Sequence, residues 1–99
     1  MLKYRLVLTA RAVEEIQKTI YYYNSQQKGL GSRFYTDLKK QVSSIRHNPF
    51  CRAIRYDDIR FAMLDKFPYA AHYNIDGNSI IIQGVISTHQ NPDTAWIDR

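Results

Sequence analysis

Along the chain the apolar positions change period, and the changes divide it into elements. Lys3 to Leu8, KYRLVL, alternates as a first strand does. Thr9 then stands where an N-cap hydroxyl would receive a free amide of a following helix. In ARAVEEIQKTIYYYNSQQ, the residues Ala12, Val13, Ile16, Ile20 and Tyr23 recur at three and four and so share a face, while Glu14 and Lys18 pair on another. The glycines of KGLGS break this helix, and Ser32 is placed to cap a second one. That helix, RFYTDLKKQVSSIRHN, carries its own stripe of Phe34, Leu38, Val42 and Ile45 until Pro49 stops it. So short a connection makes the two helices antiparallel.

After Pro49 the period becomes two. In IRFAMLD, Ile59, Phe61 and Met63 fall on one side, and Arg60, Ala62 and Leu64 on the other; Asp57-Asp58 reads as the turn before them. YAAHYNI and NSIIIQGVIS flank Asp76-Gly77, a dipeptide suited to a two-residue type I′ hairpin. That turn predicts Ile75 opposite Asn78, Tyr73 opposite Ile80, Ala71 opposite Ile82 and Tyr69 opposite Gly84, a face of Tyr, Ala and Ile suited to the helices. The other face would hold Ala70, His72, Asn74, Ile81, Gln83 and Val85, with Arg60 beside His72. A half-apolar open face of this kind is a binding surface in expectation. The predicted fold class is α+β: an N-terminal strand, an antiparallel helix hairpin, then a mostly antiparallel three-strand meander (β-α-α-β-β-β), with the helices on one face of the sheet.

With 99 residues, 44% of them hydrophobic, there is room for one core, so residues 1–99 are expected to form a single domain. No apolar run approaches the roughly 20 residues of a membrane span, and MLKYRLVLTA is too short and too mixed for a signal peptide, so the expected location is cytoplasmic. Cys51, the one cysteine, cannot form an internal disulfide and is expected to pack as a small apolar residue. The excess of 14 Lys and Arg over 9 Asp and Glu, a net charge of +5, favours acidic partners.

Candidate chemistry is sparse. Tyr21, Tyr22 and Tyr23 point about 100° apart on a helix, so one ring is expected to be buried and no stacking platform forms. His47 reads as a residue at the helix C-terminus interacting with the dipole. His72 and His89 are weak candidates for proton transfer, and the three histidines lack metal-ligand spacing, so no metal or cofactor is expected. Adjacent Asp57 and Asp58 do not form a catalytic carboxylate pair. Arg52, Arg55 and Arg60, spread around that turn, are candidates to anchor phosphate or an acidic segment.

The order of these elements, together with YYYNSQQKGLGSRF, RHNP, RFAMLDKFPYAAHY and the tail STHQNPDTAW, resembles the RelE/ParE superfamily of type II toxins over nearly the whole chain. The tail is similar to the frequent ending His-Thr-x-Arg-x-Pro followed by Trp, here with Ser87 for the His, Gln90 for the Arg, and Trp96. The resemblance implies a cognate antitoxin as partner, and one of two targets. RelE-like members cut messenger RNA on the ribosome with cations and a proton carrier; ParE-like members inhibit DNA gyrase by binding. Against the RelE-like pattern Tyr-Arg-x-x-Tyr, YAAHY puts Ala70 where the catalytic Arg would stand, and no Arg or Lys occurs between Lys66 and Arg99. The expectation is therefore a ParE-like gyrase inhibitor rather than an enzyme. Its alternatives are a ribosome-dependent endoribonuclease using Arg60, His72 or His89, and a non-toxic antitoxin-binding relative. The residues expected to meet antitoxin or target are Arg52, Arg55, Arg60, His72, His89, Gln90 and Trp96.

Overall fold

A computed structural model describes residues 4–88. In chain order these form β1 (Arg5–Leu8), α1 (Ala10–Gln26), α2 (Leu30–His47), a 3₁₀ turn at Pro49–Cys51, β2 (Ile54–Tyr56), β3 (Ile59–Met63), β4 (Tyr69–Asp76) and β5 (Ser79–Ser87). The strands make one sheet in the order β1-β5-β4-β3-β2, with β1 parallel to β5 and the other pairs antiparallel. The α+β class is as expected. The short edge strand β2 is an addition to the expected meander, hairpinned to β3 through Asp57-Asp58, where Asp57 takes φ +48°.

Both helices cover one face of the sheet. Ala12 and Ile16 of α1 and Phe34, Leu38 and Ile45 of α2 pack on Ala62, Leu64, Ala71, Tyr73, Ile80, Ile82 and Val85. Thr9 caps α1 as its position predicts, its Oγ1 accepting the Ala12 amide at 3.1 Å, and Glu14 pairs with Lys18 at 2.8 Å. Val13 departs from the predicted stripe and is exposed. Ser32 is not the cap of α2. The helix starts three residues earlier, behind Gly29 at φ +86°, and Asn24 of α1 reaches across to accept the Gly31 amide at 2.8 Å. Gly31 lets the helices touch here: a Cβ on it would stand 2.5 Å from the Ile20 carbonyl oxygen and 2.8 Å from the Asn24 side chain.

The β4–β5 register differs from the predicted one in two ways. Asp76 pairs with Ser79, so the turn is centred on Gly77-Asn78, with positive φ at Gly77 and not at Asn78, as in a type II′ turn. Tyr73 consequently faces Ile82 rather than Ile80. Past Tyr73 the ladder slips by one: His72 pairs with Gly84 and Ala71 with Val85, leaving Gln83 as an extra residue, a β-bulge. The slip brings Val85, expected on the far face, into the core in place of Gly84.

That bulge is tied to α1. Glu15 Oε1 accepts the Val85 amide at 3.0 Å, while Thr9 donates its hydroxyl to the Gln83 carbonyl at 3.2 Å and its amide to the Ile82 carbonyl at 3.1 Å. Backbone groups next to the disrupted ladder thus find partners on the helix. No helix among the described residues is long and apolar enough to cross a membrane.

Candidate functional site

The residues singled out in the sequence separate onto two sides of the sheet. Cross-strand partners share a face, and Arg60 pairs with Tyr73 whereas His72 pairs with Phe61. Arg60 is therefore on the helix side, not the helix-free side, because it continues the row of Ala62 and Leu64 that fills the core. His72 does lie opposite the helices, but it is fully buried instead of available at an open face. Its ring stacks on Phe61 with centroids 3.9 Å apart and planes 21° from parallel. Ile59, Phe61 and Ala70 form a second buried cluster on that side, so the expected open face is filled at its centre.

On the helix side, Tyr73 projects from β4 into the core and donates its hydroxyl to the Pro49 carbonyl at 2.7 Å. Burial pushes this phenol up to about 12, with Cys51 acting in the same direction and the nearby Arg52 and Arg60 guanidinium groups opposing it. Arg52 donates to Gln41 Oε1 at 3.2 Å and to the Cys51 sulfur. Arg60 donates to the Arg52 carbonyl, and its guanidinium lies 5.2 Å from the centre of the exposed Phe50 ring. Cys51 itself is exposed, contrary to the expectation of a packed apolar residue. Arg55 belongs to the other side, its guanidinium 4.7 Å from the centre of the Phe61 ring. The three arginines are accordingly not one cluster. His89, Gln90 and Trp96 lie outside the described residues.

Sequence reasoning missed a further arrangement. Between α2 and the β3–β4 connection lies a cleft of about 260 Å³ lined by Ser32, Arg33, Thr36, Asp37, Lys40, Lys66 and Phe67. Arg33, Thr36 and Lys40 follow one another at three and four residues, a polar stripe beside the apolar one, which is the sequence signal that could have found it. Asp37 is buried in the floor, and its two carboxylate oxygens accept the amides of Asp65 at 3.2 Å and Lys66 at 2.7 Å. Phe67 packs against Tyr23 and Phe34 at 4.9 and 5.6 Å between ring centres. Tyr23 is thus the packed member of the tyrosine triplet, while Tyr21 and Tyr22 are exposed, as predicted. In the last turn of α2, His47 donates its Nδ1–H to the Ser43 carbonyl at 2.9 Å. No group of His, Cys, Asp and Glu able to hold a metal occurs among the described residues.

Neither a protein-family model nor a curated protein matches the sequence. Among solved structures, one described as the chromosomal ParDE TA system from P. aeruginosa contains a chain similar to this one. The two superpose with a TM-score of 0.76 at 16% sequence identity, over 88% of this chain and 98% of that chain. The likeness is one of fold, and it is the fold that the resemblance to RelE/ParE toxins implied.

Proposed function

We propose that the chain is the toxin of a toxin–antitoxin pair, a cytoplasmic ParE-like protein that inhibits DNA gyrase by binding and is neutralised by a cognate antitoxin. The observation that carries the reading is the shared fold with a chain of a ParDE system over nearly the full length of both. Inhibition by binding is favoured over RNA cleavage by the state of the described side chains. A cutting enzyme needs cations converging on the scissile phosphate and a proton carrier with a pKa near the working pH. Here Ala70 stands where the catalytic Arg of the cutting enzymes would be, and it is buried. His72 is enclosed against Phe61, and the Tyr73 phenol, pushed up to about 12, keeps its proton and donates it to the Pro49 carbonyl.

One observation favours the second reading, an endoribonuclease: Arg52 and Arg60 do gather near the Tyr73 hydroxyl. Two assays separate the readings. Purified protein should block supercoiling of relaxed plasmid by gyrase at stoichiometric amounts and leave messenger RNA intact in a translating extract. Codon-positioned cuts with supercoiling unaffected would establish the endoribonuclease instead, and silence in both would leave a non-toxic antitoxin-binding relative.

A further inference from the structure

The cleft between α2 and the β3–β4 connection has the properties of a peptide subsite. Its rim carries three exposed cations, Arg33, Lys40 and Lys66, and its wall is the half-buried ring of Phe67. At about 260 Å³ it is smaller than the pockets that enclose whole cofactors, and suits one or two side chains of a longer ligand. The walls are fixed in advance. Asp37 holds the Asp65 and Lys66 amides, and Leu64 and Tyr69 close the same loop by a hydrogen bond of 2.9 Å. A ligand entering here spends little ordering the loop.

We propose that this cleft receives an acidic, partly apolar segment of the protein partner, an apolar side chain lying against Phe67 with carboxylates on Arg33, Lys40 and Lys66. The proposal rests on the toxin–antitoxin reading and adds to it a place and a chemistry. Charge complementarity supports a peptide rather than nucleic acid. Asp65 sits among the cations, its carboxylate 3.2 Å from Lys40 Nζ, and Asp37 lies below them. A phosphate backbone, charged at every step, would run against these carboxylates, whereas a peptide can set a neutral residue beside each. The chain's net charge of +5 draws either kind of anion, but the mixed signs inside the cleft select between them.

The test uses the full chain and the product of the neighbouring reading frame as the probe. Arg33→Glu and Lys66→Glu should each weaken the complex roughly tenfold or more and flatten its salt dependence, whereas Arg11→Gln, an exposed cation near the start of α1, should leave both unchanged. Thr36→Trp fills the cleft without altering charge and should weaken binding as strongly; circular dichroism and thermal melting verify that each variant is folded. Undiminished affinity in folded Arg33→Glu and Thr36→Trp would overturn the cleft assignment while the toxin–antitoxin reading stands. Failure of the wild-type chain to bind that probe would overturn both. Duplex DNA or RNA binding that the same variants abolish, with partner binding intact, would assign the cleft to nucleic acid and overturn the proposal.

Discussion

The Tyr73 hydroxyl contributes stability that is lost at alkaline pH. Its folded-state pKa of about 12 lies above the unfolded value near ~10, so the unfolded chain releases this proton first. The contribution is whole below pH about 10 and is lost as pH rises toward about 12. Tyr73→Phe should cost about 1 kcal/mol at neutral pH through the lost bond to Pro49, and should flatten the alkaline decline of stability relative to wild type. Denaturant midpoints of the two proteins between neutral and alkaline pH measure the difference. At His72 the burial decides the outcome. His72→Ala removes a ring stacked on Phe61 and fully enclosed, so it should destabilise the fold by about 2 kcal/mol or more, where an exposed binding residue would cost under about 0.5. Equal melting temperatures for His72→Ala and wild type would contradict that placement.

At the level of elements, the helix hairpin and the bulge each depend on one close contact. Gly31→Ala gains helix propensity but drives a methyl group into the Ile20 carbonyl oxygen, and should lose about 1–3 kcal/mol net. Glu15→Ala deprives the Val85 amide of a charged acceptor, which should cost about 2 kcal/mol and speed hydrogen exchange at Val85 more than at amides of β3. The helices, the Thr9 cap and the Asp57-Asp58 turn were legible because each is written within a few neighbouring residues. The hairpin register was not. Asp76-Gly77 and Gly77-Asn78 are both acceptable turn centres, and one glycine serves as the second residue of a type I′ turn or the first of a type II′ turn. Nor does anything near Gln83 announce a bulge, since its stabilising partners, Thr9 and Glu15, are about seventy residues away. The same long-range dependence hid the cleft: Arg33 and Lys40 carry a visible stripe, but only tertiary packing brings Lys66 and Phe67 to it. For Arg60, strand parity alone correctly grouped it with Ala62 and Leu64; which face that row occupied required the register with β4.

For the whole molecule, the strand order β1-β5-β4-β3-β2 joins the first strand to the last one described, Arg5 beside Ser79 and Leu8 beside Ile82. Every other strand pair is between sequence neighbours, so the sheet is complete only when its two ends meet. A chain stopped after Asp76 would leave β1 and α1 without the strand that carries Ile80, Ile82 and Val85 of the core, and should show little of the native far-ultraviolet spectrum. An N-terminal fragment with a native-like spectrum and a cooperative melt would contradict this. The arrangement also sets an order of events during synthesis. At about 5–20 residues per second, β1 leaves the ribosome several seconds before its partner strand is made, and no intermediate length offers it a substitute in the sheet. A nascent chain is therefore unable to close its sheet until β5 has been made, and until then the edge of β1 and the inner face of α1 have no native strand to meet.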